Sequence, residues 1–164
     1  MEPIRGVKRI LGMGRPPRLQ EPGQIFHVIV RGNRRQNIFE EEADWDRFQT
    51  ALLRLAAESD FELLGFTLMG NHAHLLIRCG GTPLGKLLQG LLSSHALYLN
   101  KKYGRSGHLY QGRYTSEPCP NDSVLKHQLR YIHWNPVRAG LVRSPDEWKW
   151  SSHHAYCGQE MPGV

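Results

Sequence analysis

His72 and His74 stand two positions apart in the run Met69-Gly70-Asn71-His72-Ala73-His74-Leu75-Leu76-Ile77. On a β-strand that spacing turns both imidazoles to one face of a sheet. Paired neutral imidazoles can hold one divalent metal. A metal held there can polarise a phosphate oxygen and assist attack at phosphorus. The same spacing is met by two sheet histidines satisfied by ordinary hydrogen bonds. Tyr131 is the second reactive group, on a helix whose apolar stripe is Leu125, Leu129 and Ile132. It lies about a quarter-turn from that stripe, with His127 and Asn135 four residues to either side on its own flank. A tyrosine so placed can look into a cleft and serve as nucleophile, or it can sit half-buried with its hydroxyl in water. An unperturbed phenol titrates near pH ~10, so a metal-bound phosphate or His127 would have to assist.

The elements that must position these groups are legible in outline. Residues 25–31 read as a strand with Phe26, Val28 and Val30 on one face and His27, Ile29 and Arg31 on the other. Residues 32–37 form a basic loop, and residues 40–57 a helix striped by Trp45, Phe48, Leu52 and Leu55. Strands over 61–69 and 72–78 flank Gly70-Asn71, which reads as a type II′ hairpin turn with glycine first. Thr82 caps a second helix with Pro83 at its first position. Its broad face carries Leu84, Leu87, Leu88, Leu91, His95, Tyr98 and Leu99. After a glycine-rich loop over 104–107, residues 111–117 read as a short strand. Asp122 or Ser123 caps the third helix, which Pro136 ends.

Strand, helix, strand, strand, helix, strand and an extra helix is the split β-α-β of the ferredoxin-like class, an α+β fold with an antiparallel sheet. The first and third strands then lie together at the sheet centre, and His27 comes beside His72 and His74. Ala73, Leu75 and Ile77 face the two main helices, while the third helix covers part of the histidine face.

The 164 residues suit one domain, with 40% apolar and 22% charged residues. The net charge of +6 and pI near 9.5 favour a polyanion, either nucleic acid or an anionic membrane. No apolar run is long enough to span a bilayer, and the basic N-terminus leads into no long apolar stretch. Cys79, Cys119 and Cys157 form no C-x-x-C pair and no disulfide framework, which suits a reducing cytoplasm. Nucleic acid is therefore the expected partner, and a membrane is not. Residues 1–24 carry Gly, Pro and Arg without periodicity and read as a basic arm, disordered in part. The expected limits are an N-terminal arm over 1–14, one domain over 15–157 and a tail over 158–164.

Several spaced segments share an order with a known family. They are Pro22-Gly23 before Phe26-His27-Val28, then Arg31-Gly32-Asn33-Arg34-Arg35, then Asn71-His72-Ala73-His74-Leu75-Leu76. Gly107-His108-Leu109-Tyr110-Gln111-Gly112-Arg113-Tyr114 follows, then Tyr131-Ile132-His133-Trp134-Asn135-Pro136-Val137-Arg138-Ala139-Gly140-Leu141 and Trp148-Lys149-Trp150-Ser151-Ser152. Together they resemble the REP-associated tyrosine transposases, a branch of the single-tyrosine HUH transposases with an IS200-like domain. HUH denotes two histidines around a hydrophobic residue, here Ala73. The resemblance implies that His72 and His74 bind Mg²⁺ or Mn²⁺ with help from Asn135, and that Tyr131 is the nucleophile. It implies cutting of single-stranded DNA near palindromic hairpins, leaving a 5′-phosphotyrosine and a free 3′-hydroxyl that can attack again without ATP. It implies a monomer, although some relatives form dimers that exchange the tyrosine helix. Gly70 stands where the family often has proline.

The basic groups suit such a substrate. Arg31, Arg34, Arg35, Arg105 and Arg113 are candidate phosphate contacts. Asn33, His108 and Gln111 are further candidates for DNA binding, and His27 and His127 for support behind the metal ligands. Tyr110, Tyr114, Trp148 and Trp150 could stack on bases, although the two tryptophans read better as anchors for the tail. His127 and His133 otherwise read as solvated helix residues, and His27 as a packed strand histidine. His153, His154 and Cys157 could imitate a metal site, but the tail offers no fourth partner. Two rival readings remain beside the nuclease. One is a non-catalytic nucleic-acid-binding regulator on the same fold; the other is a metal hydrolase with water as nucleophile.

Overall fold

The computed structural model describes residues 20–158. The expected arm over 1–14, the first residues of the expected domain and all of the expected tail except Gly158 lie outside the described residues. Four strands, β1 (Ile25–Arg31), β2 (Glu62–Leu68), β3 (His72–Arg78) and β4 (Thr115–Pro118), form one antiparallel sheet in the order β2-β3-β1-β4. Helices α1 (Glu42–Glu58) and α2 (Leu84–Lys102) are the two crossovers. The expected ferredoxin-like α+β topology is therefore observed, with β1 and β3 as the central pair. The chain continues through α3 (Asp122–His133), α4 (Asn135–Arg138) and α5 (His153–Tyr156). Among the described residues no helix is long and apolar enough to cross a membrane.

Alternation along the strands creates two unlike faces. Phe26, Val28, Val30, Phe66, Leu68, Ala73, Leu75 and Ile77 join Phe48, Leu52, Leu84, Leu88 and Leu99 in the main core. The opposite face carries Leu76, which packs with Cys119, Ile132, Leu125, Leu129 and Tyr131 in a second cluster beneath α3. A register shift between Leu63 and Gly65 sets Gly65 opposite Leu76 and Thr67 opposite His74. A Cβ on Gly65 would lie 2.6 Å from Leu129 Cδ1, so the missing side chain is what lets α3 settle onto β2.

Asp44 ties α1 to α2. Its carboxylate is 0% exposed and accepts five hydrogen bonds, from Tyr98 Oη, Lys102 Nζ, Tyr103 Oη and the backbone N–H groups of Glu40 and Glu41. Burial alone would raise its pKa; the bonds from Lys102, Tyr103 and the two backbone groups win and hold it well below the carboxylate range.

Several local expectations are corrected. Gly70 is not in the left-handed region, so the Gly70-Asn71 turn is not type II′. It closes with Met69 N–H donating to His72 O, while Gly70 O accepts from Ile38 and Phe39. The α3 cap is Asn121, whose Oδ1 accepts from Val124 N–H, rather than Asp122 or Ser123. β4 begins at Thr115, not Gln111, because Gly112 at φ 66 and the turn around it interrupt the extended run. The C-terminal segment returns along β2: Leu68 N–H donates to Trp150 O, and Ser152 N–H to Phe66 O.

Two outcomes follow from this packing. Asp44→Ala should lower stability by about 1–3 kcal/mol in urea denaturation, because it removes the buried acceptor that five donors share. Since the folded pKa is depressed, Asp44 stabilises fully above about pH 4, and that share fades as the pH falls toward the folded value. Asp44→Asn should remove this share of the acid sensitivity. Gly65→Ala should cost about 1–3 kcal/mol by forcing Leu129 and α3 outward.

Candidate active site

The histidine face becomes a site because β1 brings His27, β3 brings His72 and His74, and α4 brings Asn135 to one place. His27 and His74 are 2% and 3% exposed, and His72 is half-buried at the mouth. Ile29 pairs with His74 and Arg31 with His72, so His27 lies diagonal to His74 on the same face. His27 Nε2 and His74 Nδ1 are 2.9 Å apart. On the other edge of His74, Asn135 Nδ2 donates to Nε2 at 3.0 Å. With Asn135 Nδ2 as donor, the protons take one order: His74 donates from Nδ1 to His27 Nε2, which leaves the His27 proton on Nδ1, 4.0 Å from Glu117 Oε2.

Burial keeps both members of the pair neutral. Desolvation, followed by repulsion from His72, His27 and Arg31, lowers the His74 pKa to about 2. Desolvation and Arg31 lower that of His72 to about 4, with a hydrogen bond to Asn135 acting the other way. Burial also lowers His27, opposed by Glu117. Neutral rings keep a lone pair for a cation. A half-turn of the Asn135 side chain would bring its carbonyl oxygen where Nδ2 now lies. Two imidazole nitrogens and an amide oxygen suit a divalent ion with positions left open.

Tyr131 reaches the same rings from α3. Its ring meets that of His74 edge-on at 5.9 Å between centroids, and that of His27 at 6.3 Å. Arg138 lies over the tyrosine ring, 4.9 Å from its centre. The helix does not run through to Asn135: it ends at His133, Trp134 caps it, and α4 starts anew with Asn135-Pro136. Proline cannot donate to a continuing helix, which is why the break falls there. The break turns Asn135 toward His74 while Tyr131 stays on the preceding helix.

The other candidates are spread along one rim. Arg31, Arg34, Arg35, His108, Gln111 and Arg113 are exposed, and Asn33 and Arg105 half-buried. Asn33, Arg34, Arg105 and His108 share a cleft of about 380 Å³, and Asn33, His108 and Arg113 line a larger groove of about 980 Å³ against α2. Gln111 N–H donates to Arg31 O, which ties the groups near His72 to that groove. Arg34 and Arg35 have φ of 51° and 62°, a conformation that costs side-chain-bearing residues about 1–2 kcal/mol each. Arg105 is bound to Glu40 at 2.6 Å and is less available than its charge suggests.

His127 is exposed one turn before Tyr131. His133, expected in solvent, is 5% exposed, with Nε2 2.9 Å from Ser152 Oγ. Tyr114 and Trp150 are buried in the core, Tyr114 beneath the larger groove. Trp150 stacks on Trp45 at 4.6 Å, and Trp148 Nε1–H donates to Leu68 O, so both tryptophans are anchors. Glu117 and Arg138 were missed. Glu117 is visible only once β4 is paired with β1, whereas Arg138 lies in the segment that contains Asn135.

Residues 22–135 match the family model described as Transposase IS200 like. A Haemophilus influenzae protein described as a REP-associated tyrosine transposase is 26% identical over 144 residues, covering 80% of each chain. The REP-associated tyrosine transposase of Escherichia coli K12 is 22% identical over 135 residues, covering 80% of this chain and 77% of that one. The fold is shared with the structure of a REP-associated tyrosine transposase bound to a REP hairpin. The TM-score is 0.72 at 18% identity, covering 91% of this chain and 88% of that one.

Proposed function

Because the chain belongs to the IS200-like transposase family, a family of DNA-processing proteins, we propose that it is a metal-dependent single-stranded DNA endonuclease and strand transferase acting at palindromic hairpins. The observation that carries this reading is the meeting of the Tyr131 ring, the Asn135 amide and the His74 ring on one face of the sheet. The hairpin as substrate rests on the relative whose structure holds a REP hairpin. We take the domain to span 15–157 and to work in the cytoplasm as a monomer, since one chain supplies Tyr131, His72, His74 and Asn135.

In this mechanism Tyr131 Oη attacks the scissile phosphorus. The bond to the 3′-oxygen breaks, the phenolic proton is lost, and the departing oxygen gains a proton. The products are a 5′-phosphotyrosine and a free 3′-hydroxyl. Attack of that hydroxyl on the linkage restores a diester and returns the phenol, with no external energy. Mg²⁺ or Mn²⁺ held by His72, His74 and Asn135 would polarise a non-bridging oxygen of the phosphate. His27 accepts from His74 Nδ1–H, keeps the His74 lone pair on Nε2 and so is a positioning residue. Arg138 sets a positive charge beside the phenol and the incoming phosphate. Arg31, Asn33, Arg34, Arg35, His108, Gln111 and Arg113 hold the backbone along the rim, with a smaller share from Arg105.

Incubating a labelled hairpin with Mn²⁺ and separating the products on a denaturing gel tests the proposal. The protein should carry a strand covalently, and Tyr131→Phe should abolish that adduct while sparing hairpin binding. Cleavage without any protein-linked strand would instead favour water as nucleophile. His27→Ala should raise the Mn²⁺ concentration needed for half-maximal cleavage by about 10–100-fold, with metal-free hairpin binding unchanged.

A further inference from the structure

We propose that Asp146, His153 and Cys157 form a zinc site at the C-terminal end of the fold, apart from the His72–His74 cleft and independent of the strand-transfer reading. Its ligand atoms all lie within 4.8 Å of one another. His153 Nε2 is 3.2 Å from Asp146 Oδ1 and 3.4 Å from Cys157 Sγ. Around a tetrahedral zinc, with bonds of about 2.0–2.1 Å to N and O and about 2.3 Å to S, the matching separations are about 3.3 and 3.6 Å. His153 Nε2 thus faces both neighbours at nearly the edge lengths of a zinc tetrahedron.

The local chain builds this arrangement. His153 and Cys157 are four residues apart on and just after α5, so they share one face of a helical turn. Asp146 comes from the 3-10 turn Pro145–Glu147, and Ser144 Oγ–H donates to its Oδ2 at 2.8 Å, leaving Oδ1 toward His153. That hydroxyl fixes the ligating carboxylate in the way metal sites commonly do. Asp146 takes the place of His154 as the third ligand. His154, which the sequence suggests alongside, is not part of the group.

Ligand chemistry selects the ion. One thiolate, one carboxylate and one imidazole neutralise a divalent charge. Thiolate with imidazole favours zinc over the hard ions Mg²⁺ and Mn²⁺. Asp146 and Cys157 are exposed, so an ion can enter and a water can fill the fourth position. The effect of loading would reach α3. The His153 ring packs edge-on against that of His133 at 5.2 Å, and His133 is bonded to Ser152 at the end of the helix that carries Tyr131.

The test uses the full chain, stripped with a chelator and titrated with Zn²⁺ against a chromophoric indicator, and separately with Co²⁺. One zinc should bind per chain beyond any ion taken up at His72 and His74, and Co²⁺ should give a tetrahedral spectrum with a sulfur-to-cobalt absorption that His72 and His74 cannot produce. At a hundredfold excess over Kd, zinc should raise Tm by about 5–10 °C. Cys157→Ser, an exposed change that should fold normally, should remove the absorption and the Tm rise, and Asp146→Ala should weaken binding at least tenfold. The proposal is overturned if no zinc binds. It also fails if zinc stays equally tight in Cys157→Ser, or if only His72→Ala releases it.

Discussion

Buried imidazoles impose the governing constraint on this molecule. His27 and His74 occupy positions on the sheet where aliphatic side chains would pack at no polar cost. Once water is excluded, each ring nitrogen needs a partner, because an orphaned polar group in such a place costs about 1–3 kcal/mol. The rings answer by bonding to each other and to Asn135. The direction of the bonds then fixes which nitrogen of His74 keeps its lone pair. A metal ligand needs that property, and here it arises from the satisfaction of buried polar atoms. The remaining opening is His27 Nδ1, which faces Glu117 at 4.0 Å and has no closer partner among the described residues.

The constraint explains the shape of the chain after the sheet. A continuous helix from Asp122 to Arg138 would carry Tyr131 and Asn135 on a single flank. With α3 stopping at His133 and α4 starting at Asn135, the two groups reach His74 from separate elements. Close seating of α3 then depends on a place where the sheet offers no side chain, and Gly65 supplies it. The break and the glycine are far apart in sequence, yet both serve the distance between one phenol and one imidazole.

Much of this was legible in the residues. The alternation along 25–31 and 72–78 assigned the two faces correctly, and the His27–His74 meeting follows from that alternation with the strand order. Asn135 four residues after Tyr131 was visible too, although a helix wheel placed it on a continuous helix that the structure divides. What stayed hidden depends on partners distant in the chain. His133 looks like a surface residue until Ser152 returns beside it. Asp44 looks like a first-turn acid until α2 brings Tyr98, Lys102 and Tyr103. Tyr114 reads as an exposed aromatic in a polar strand, and only closure of the loop over α2 buries it. Gly70 misled for another reason: glycine permits the left-handed region without requiring it.

The return of the C-terminal segment along β2 has a consequence for how molecules of this chain meet one another. An outermost strand displays a row of unused amide and carbonyl groups, an invitation to any passing extended chain and a common route to aggregation. Here Trp150 and Ser152 take up such groups on Leu68 and Phe66, so the segment acts as a selvedge that closes the ladder on that side. The opposite margin is only four residues long and ends in Pro118, which has no amide hydrogen to offer. A molecule finished on both margins can stay dispersed while His72 keeps part of its ring at the surface.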